Sequence, residues 1–200
     1  MSPLILTIDI LRHGETETEA GKLYGATDVP LSELGKSQLL KAAKIIHREP
    51  IANVISSPLK RCAWLSTKLD TRQHINMRYH IGFSEMDFGD WEGEDIQKLI
   101  QQEPNFRQDI TQLKPPNGET FADFEQRVSA AWHEYITQHM EQGGHHLLVT
   151  HGGVIRLLLG QVLQIPKQHL SSLYIPHAAW SRITFVQGES PMLWFMNHHA

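Results

Sequence analysis

Three observations predict an α/β protein in three layers, with a mostly parallel central sheet and helices on both faces. Strand-like and helix-like segments alternate along the 200 residues, the pattern of a largely parallel sheet. The first strand-like segment, Leu4-Ile5-Leu6-Thr7-Ile8-Asp9-Ile10-Leu11, is apolar almost throughout, as expected for a strand covered on both faces. Two such segments stop on a histidine-glycine pair, His13-Gly14 and His151-Gly152. Ligands of open α/β sheets bind beyond the carboxyl ends of the strands, so two imidazoles are expected in one pocket.

The elements follow in order. Residues 4–11 form the first strand; Asp9 breaks its apolar run and either faces the site or marks a strand edge. A turn-rich loop over 14–30 leads to a helix from about Ser32 to His47, where Leu39, Ala42, Ala43 and Ile46 recur at helical spacing. Residues 52–56 make a short second strand. Ser57-Pro58 then reads as N-cap and first position of a helix running to about Leu69. Alternation of Ile75, Met77, Tyr79 and Ile81 suggests a third strand over 74–82. The stretch 83–119 is the least regular, with one helix at 92–102 and a turn at Pro115-Pro116-Asn117-Gly118. Thr120 and Asp123 form a variant capping box for a long helix whose buried stripe is Phe121, Phe124, Val128, Ala131 and Tyr135. Gly143-Gly144 ends it. A strand at 145–150, a helix at 153–163, a strand near 180–187 and an edge strand at 192–196 complete the expected core.

Two hundred residues suit one domain, 1–200, with a full core. The 40% hydrophobic and 20% charged composition is that of an ordinary soluble globule. A net charge of -4 argues against a nucleic-acid partner, which would call for a basic face. It leaves room for an anionic small molecule, because a pocket needs only local positive charge. The one cysteine, Cys62, cannot form an internal disulfide, which fits a reducing compartment. The first apolar run has no basic flank and is too short to span a bilayer. We therefore expect a cytoplasmic protein with no membrane contact; oligomeric state is left open.

Phosphoryl transfer asks for charge neutralisation, an in-line nucleophile and a proton for the leaving oxygen. Arg12 and Arg61 offer forked donors that match phosphate geometry. His151-Gly152-Gly153 leads from a strand into a helix, whose free N–H groups and dipole favour an anion. Neutral histidine is well populated near pH 7 and can attack phosphorus, and Gly14 lets the backbone beside His13 come close. No Gly-x-x-x-x-Gly-Lys loop and no Gly-x-Ser-x-Gly elbow occurs. The residues point to a phosphate site that needs neither metal nor cofactor.

Arg12-His13-Gly14-Glu15-Thr16 resembles the signature of the histidine phosphatase, or phosphoglycerate-mutase-like, superfamily. Four further blocks follow in that family's order: Asp28-Val29-Pro30-Leu31-Ser32 with Gly35; Ser56-Ser57-Pro58-Leu59 with Arg61; Glu85-Met86 with Phe88-Gly89-Asp90-Trp91-Glu92-Gly93; and Val149-Thr150-His151-Gly152-Gly153. The resemblance covers nearly the whole chain. It implies a phosphomonoester substrate and a phosphohistidine on His13. Arg12, Arg61, His151 and Gly152 would surround the phosphoryl group, with His151 also serving catalysis. Glu85 would protonate the leaving alcohol and then activate water. Gly25, in the loop after the first strand, is a candidate substrate contact. Within the superfamily, the 88–92 and 116–121 blocks and the modest length look most like the α-ribazole phosphatase branch. A mutase or broad-specificity phosphatase of the same fold, and a silent phospholigand-binding module, are the alternatives. Two positions depart from the pattern: Glu19 stands where asparagine is usual, and Leu65 where a small hydroxyl residue is common.

Other candidates have plainer roles. His145-His146 on one strand point to opposite faces and cannot share an ion, and His198-His199 sit at the chain end. Arg156, Arg182, Lys41 and Lys44 are expected at the surface. Glu15 is expected to be structural and Cys62 a buried small hydrophobe. Trp91 either lines the substrate mouth or pins its loop. His177 and Trp180 lie in the last loop, with only a weak claim to the site.

Overall fold

The computed structural model describes residues 4–69 and 75–200. The strands are β1 (Ile5–Arg12), β2 (Asn53–Ser56), β3 (Asn76–Tyr79), β4 (Gly144–Thr150), β5 (Trp180–Val186) and β6 (Met192–His198). They form one six-stranded sheet in the order β3-β2-β4-β1-β5-β6. β1, β2, β3 and β4 pair in parallel, whereas β5 pairs antiparallel with both β1 and β6. The expected α/β class and mostly parallel sheet are what the chain adopts.

Helices cover both faces. Leu6, Ile8 and Ile10 of β1 and Leu148 of β4 join a core with α5 (Phe121–His139) and α6 (Gly152–Val162). Leu11, Val54, Leu147 and Val149 join a second core with α1 (Glu33–Ile46) and α2 (Lys60–Ser66). Neighbouring strand residues point to opposite faces, so β1 feeds both cores, Leu6, Ile8 and Ile10 on one side and Leu11 on the other. Asp9 lies fully buried, within 2.8–2.9 Å of the Arg182 guanidinium and 2.8 Å of His145 Nε2. It is neither at the site nor at an edge. Arg182, expected at the surface, is drawn in because a buried carboxylate needs a partner.

The expected cap holds for α5, and α1 has one as well. Ser32 accepts from the Gly35 N–H, and Thr120 accepts from the Asp123 N–H while donating its hydroxyl to the Asp123 carboxylate. α2 differs: it begins at Lys60 rather than at Pro58, and its N-cap is Leu59, with no side-chain bond, rather than Ser57. The Ser57 hydroxyl accepts from the Leu59 N–H at 3.3 Å and is also engaged by His151. The third strand is limited to Asn76–Tyr79, and Ile81 begins a 3-10 turn; position 74 of the expected strand is outside the described residues. The helix expected over 92–102 starts only at Ile96, as α3 (Ile96–Gln102) capped by Asp95, and a short α4 (Asn105–Gln108) follows it. Among the described residues no helix is long and apolar enough to cross a membrane.

Register sets the site. Arg12 lies opposite Thr150, and the His13 N–H donates to Thr150 O at 2.9 Å. The Ser57 N–H donates to Val149 O at 3.0 Å. Three parallel strands thus end level, and their next residues are His13, His151 and Ser57. Gly14 crosses α1 at Gly35, where a Cβ on Gly14 would stand 2.2 Å from Gly35 O. The close approach that Gly14 permits is therefore to the first turn of α1.

Candidate active site

His13 and His151 face each other at the sheet edge, with ring centroids 5.2 Å apart. His13 Nδ1 lies 2.7 Å from Gly14 O. A carbonyl only accepts, so Nδ1 carries the proton and Nε2 keeps its lone pair. Nε2 makes no hydrogen bond among the described residues. Burial, reinforced by the Arg12, His151 and Arg61 charges, holds His13 well below the usual histidine range. The ring is neutral and one nitrogen is free, which is the state a nucleophile requires.

His151 has the opposite tautomer. Arg61 Nε donates to its Nδ1 at 3.2 Å, so the proton sits on Nε2 and is donated to Ser57 Oγ at 2.8 Å. Burial and the charges of Arg61 and Arg12 keep His151 neutral as well. Cys62 Sγ packs 3.5 Å from the same ring, and burial pushes its thiol up to about 12. It is the inert small hydrophobe that its position suggested.

Arg12 and Arg61 reach the pocket by different routes. Arg12 donates to Ile175 O and lies 2.9 Å from His177 Nε2, while its Nε is buried without a partner among the described residues. Burial pushes its guanidinium down to about 10, an indication of how dry the site is. His177 thus belongs to the site: its ring centroid is 5.4 Å from that of His13, and burial pushes it down to about 4. Trp180 does not; it packs against Phe195 and His198.

Arg61 is fully buried and donates to the carbonyls of Thr27 and Gly25 as well as to His151. Those carbonyls are fixed by Glu92, whose carboxylate accepts from the N–H groups of Gly25, Ala26, Thr27 and Phe88 at 2.9–3.3 Å. Gly25 therefore has both polar backbone atoms engaged by protein. A Cβ there would stand 1.9 Å from Met86 O, so the residue is required by the crossing of two loops. Glu92 sits in a recognised block, but nothing in its spacing reveals this latch.

Glu85 lies at the start of α6, its Oε2 accepting from the Gly153 N–H at 2.9 Å. A carboxylate on a helix N-terminus is favourably placed. Its segment is held by Arg127 of α5, which donates to Ile81 O, Gly82 O, Ser84 O and Glu85 O and forms a forked pair with Glu119. Arg127 escapes sequence reasoning because all its partners but Glu119 are backbone atoms 42 to 46 residues away.

A cavity of about 410 Å³ opens beside Arg12, Glu85 and Gly152. Its walls are mainly apolar: Leu23, Tyr24, Met86, Phe88, Phe106, Phe121, Phe124 and Leu170 among others. Much of it comes from the irregular 83–119 region. Arg156 also lines it, so this arginine belongs to the pocket rather than to the outer surface. It projects from the first turns of α6, and helical spacing brings it round beside Gly152. Trp91 pins its loop, 6.0 Å from Phe106, and does not line the cavity. Glu19 is exposed and takes no part in the wall, while Leu65 is fully buried in the second core. Among the described residues no group of three or more His, Cys, Asp or Glu side chains could hold a metal ion.

Residues 8–197 match the family model of the histidine phosphatase superfamily (branch 1). The chain is 29% identical over 187 residues to the glucosyl-3-phosphoglycerate phosphatase of Mycobacterium tuberculosis, covering 88% of this chain and 83% of that protein. It is also 29% identical over 190 residues to the adenosylcobalamin/alpha-ribazole phosphatase of Salmonella typhimurium, covering 90% of each. Among solved structures, a mycobacterial glucosyl-3-phosphoglycerate phosphatase in complex with inorganic phosphate superposes with a TM-score of 0.82 at 28% identity, covering 98% of each chain.

Proposed function

The chain belongs to the histidine phosphatase superfamily and is a phosphatase, and from that premise we propose that it hydrolyses phosphomonoesters through a phosphohistidine on His13. The observation that carries this is the free, neutral Nε2 of a ring whose other nitrogen is tied to Gly14 O. In the first step Nε2 attacks phosphorus as the bond to the leaving oxygen breaks, and that oxygen takes the proton of the Glu85 carboxyl. In the second, the Glu85 carboxylate removes a proton from water and the oxygen attacks phosphorus. The N–P bond breaks, its electron pair returns to His13, and inorganic phosphate leaves. Arg12 Nε offers an unused donor to the phosphoryl oxygens, and Arg61 adds the second positive charge.

For the substrate we propose α-ribazole 5′-phosphate. What supports this is the shape of the cavity, within the ~300–1,000 Å³ of small-molecule sites and walled by Phe88, Phe106, Phe121 and Phe124. A flat heteroaromatic base suits such a wall better than a bare glycerate does. A phosphatase relative that acts on a phosphoglycerate ester sets the comparison to be made.

The test is a side-by-side rate measurement on α-ribazole 5′-phosphate, glucosyl-3-phosphoglycerate and the phosphoglycerates, following inorganic phosphate. The first should lead by kcat/KM. His13→Ala should remove at least about a thousandfold of the rate, the scale lost with a covalent nucleophile, and should prevent formation of an acid-labile phosphoenzyme. Near-wild-type turnover by His13→Ala would overturn the covalent route. A glycerate ester preferred over α-ribazole 5′-phosphate would overturn the substrate.

A further inference from the structure

Arg156 is a half-buried cation that no carboxylate pairs at contact distance among the described residues. Its Nε donates to Leu173 O at 2.7 Å, its terminal nitrogens make no hydrogen bond among the described residues, and it forms no ion pair there. Burial lowers its pKa, while the Glu85 charge favours its protonated form. A guanidinium held beside apolar walls is costly unless something pairs with it. A solvated salt link to the surface would have relieved that cost, and the side chain instead lines the cavity beside Leu157, Leu170 and Ser171.

Its place separates it from the phosphoryl machinery. His13, His151 and Arg61 do not line the cavity, whereas Arg12, Gly152 and Glu85 stand at the end nearest them. Arg156 Nη1 comes within 3.7 Å of the position a Cβ on Gly152 would take, and Arg12 Nε within 3.5 Å of that same point. The two guanidinium groups therefore flank Gly152, Arg12 toward His13 and Arg156 toward Leu170 and Leu173. A phosphomonoester whose phosphorus lies at His13 and whose leaving oxygen meets Glu85 must run its leaving group past Arg156.

We propose that Arg156 is a specificity-determining residue that donates to a hydrogen-bond acceptor on the leaving group. The substrate class is then a phosphomonoester whose leaving group combines an apolar body with an oxygen or ring nitrogen that accepts from a guanidinium. This rests on the phosphatase reading for the direction in which the substrate lies, and it adds a polar requirement to an otherwise apolar pocket. Such a donor does more by rejecting groups that lack the acceptor than by attracting those that have it, since a buried donor left unpaired is penalised.

The experiment compares wild type, Arg156→Met and Arg156→Lys on five aryl phosphates: phenyl phosphate, and its 3- and 4-substituted carbamoyl and carboxyl derivatives. For each compound the wild-type to variant ratio of kcat/KM cancels the intrinsic reactivity of the leaving group. That ratio should be about tenfold larger for an acceptor-bearing compound than for phenyl phosphate, and lysine should restore part of it. A larger ratio for carboxyl than for carbamoyl assigns an anionic acceptor; equal ratios assign a neutral one. Equal loss on all five compounds would place Arg156 on the phosphoryl group and overturn the proposal, as would no loss on any. Binding of the same compounds to His13→Ala, with and without Arg156→Met, is measured by calorimetry. Discrimination there without turnover in the parent protein would sink the phosphatase reading while leaving this one standing.

Discussion

At the scale of single residues, the decisive fact is that the two facing histidines are fixed in opposite tautomers. Gly14 O takes the proton of His13 Nδ1, and Arg61 Nε forces the proton of His151 onto Nε2. Both rings are neutral because desolvation, and then the nearby guanidinium charges, disfavour the imidazolium. A pH dependence follows. His13 is unprotonated above its lowered pKa, so kcat/KM should not fall as pH drops through 6.5, the value of an ordinary histidine. Corrected for the substrate's own second ionisation, the acid limb belongs well below that. A limb centred on 6.5 in that corrected profile would show that His13 is not desolvated as the structure has it. The identities of Arg12, His13, Arg61 and His151 were legible because each follows directly on a strand end or lies one turn into the helix after it. His177 had only a weak claim, because it arrives from the last loop at a distance no local pattern encodes, and Arg156 reads as surface charge although its i,i+4 spacing from Gly152 on α6 places it beside the site.

At the scale of elements, the site depends on two loops that carry little regular structure. The loop before α1 and the turn at 88–92 are joined through one carboxylate, Glu92, which collects four backbone N–H groups. Hydrogen bonds to a charged group are each worth about 1.5–3 kcal/mol, and here they also place the Gly25 and Thr27 carbonyls that hold Arg61. Glu92→Gln keeps the size but loses the charge and one acceptor. It should lower the unfolding free energy by about 2 kcal/mol, and kcat by tenfold or more, with KM less affected. Chemical denaturation and steady-state rates would check this, and an unaltered kcat would mean that Arg61 is positioned without the latch. The regular elements were readable to within a few residues because periodicity and caps are local signals. α2 was misplaced by two residues: the Ser57 hydroxyl, which local rules assign to a helix cap, accepts both from the Leu59 N–H and, from across the sheet end, from His151 just after β4, and the helix itself begins only at Lys60. The same holds for 83–119, where Gly25, Met86 and Glu92 specify one another across the gap between two loops.

At the scale of the whole molecule, the two cores differ from a purely apolar interior in the number of neutral histidines they bury. His13 and His151 lie at the strand ends. His146 of β4 is fully buried at the opposite end of the strand, 3.0 Å from Asn53 Nδ2 and 2.9 Å from the Tyr135 hydroxyl. Asn53 Nδ2 donates to Nε2, so Nδ1 carries the proton and donates to Tyr135. Burial pushes His146 down to about 4. All three, and with them His139 and His177, have folded pKa values below the unfolded value of 6.5. Below pH 6.5 the unfolded chain therefore binds more protons than the folded one, and stability falls as pH falls. Each such group removes at most about 1.4 kcal/mol per pH unit in that window, and the five together at most about 7. Asp9 does not offset the loss between pH 6.5 and 5. Its lowered pKa contributes stability that is present above the unfolded value of 3.8 and lost only below it. Small domains hold only about 5–15 kcal/mol in total, so this protein should approach unfolding near pH 5 while remaining firm at pH 7.5. Denaturant midpoints across that range should fall steeply, and His146→Gln, which is far from the site, should flatten the slope by about a fifth. A profile that stays level from pH 7.5 to 5 would mean that these rings are hydrated enough to accept protons in the folded state. The dryness that keeps His13 a free nucleophile would then be lost with it.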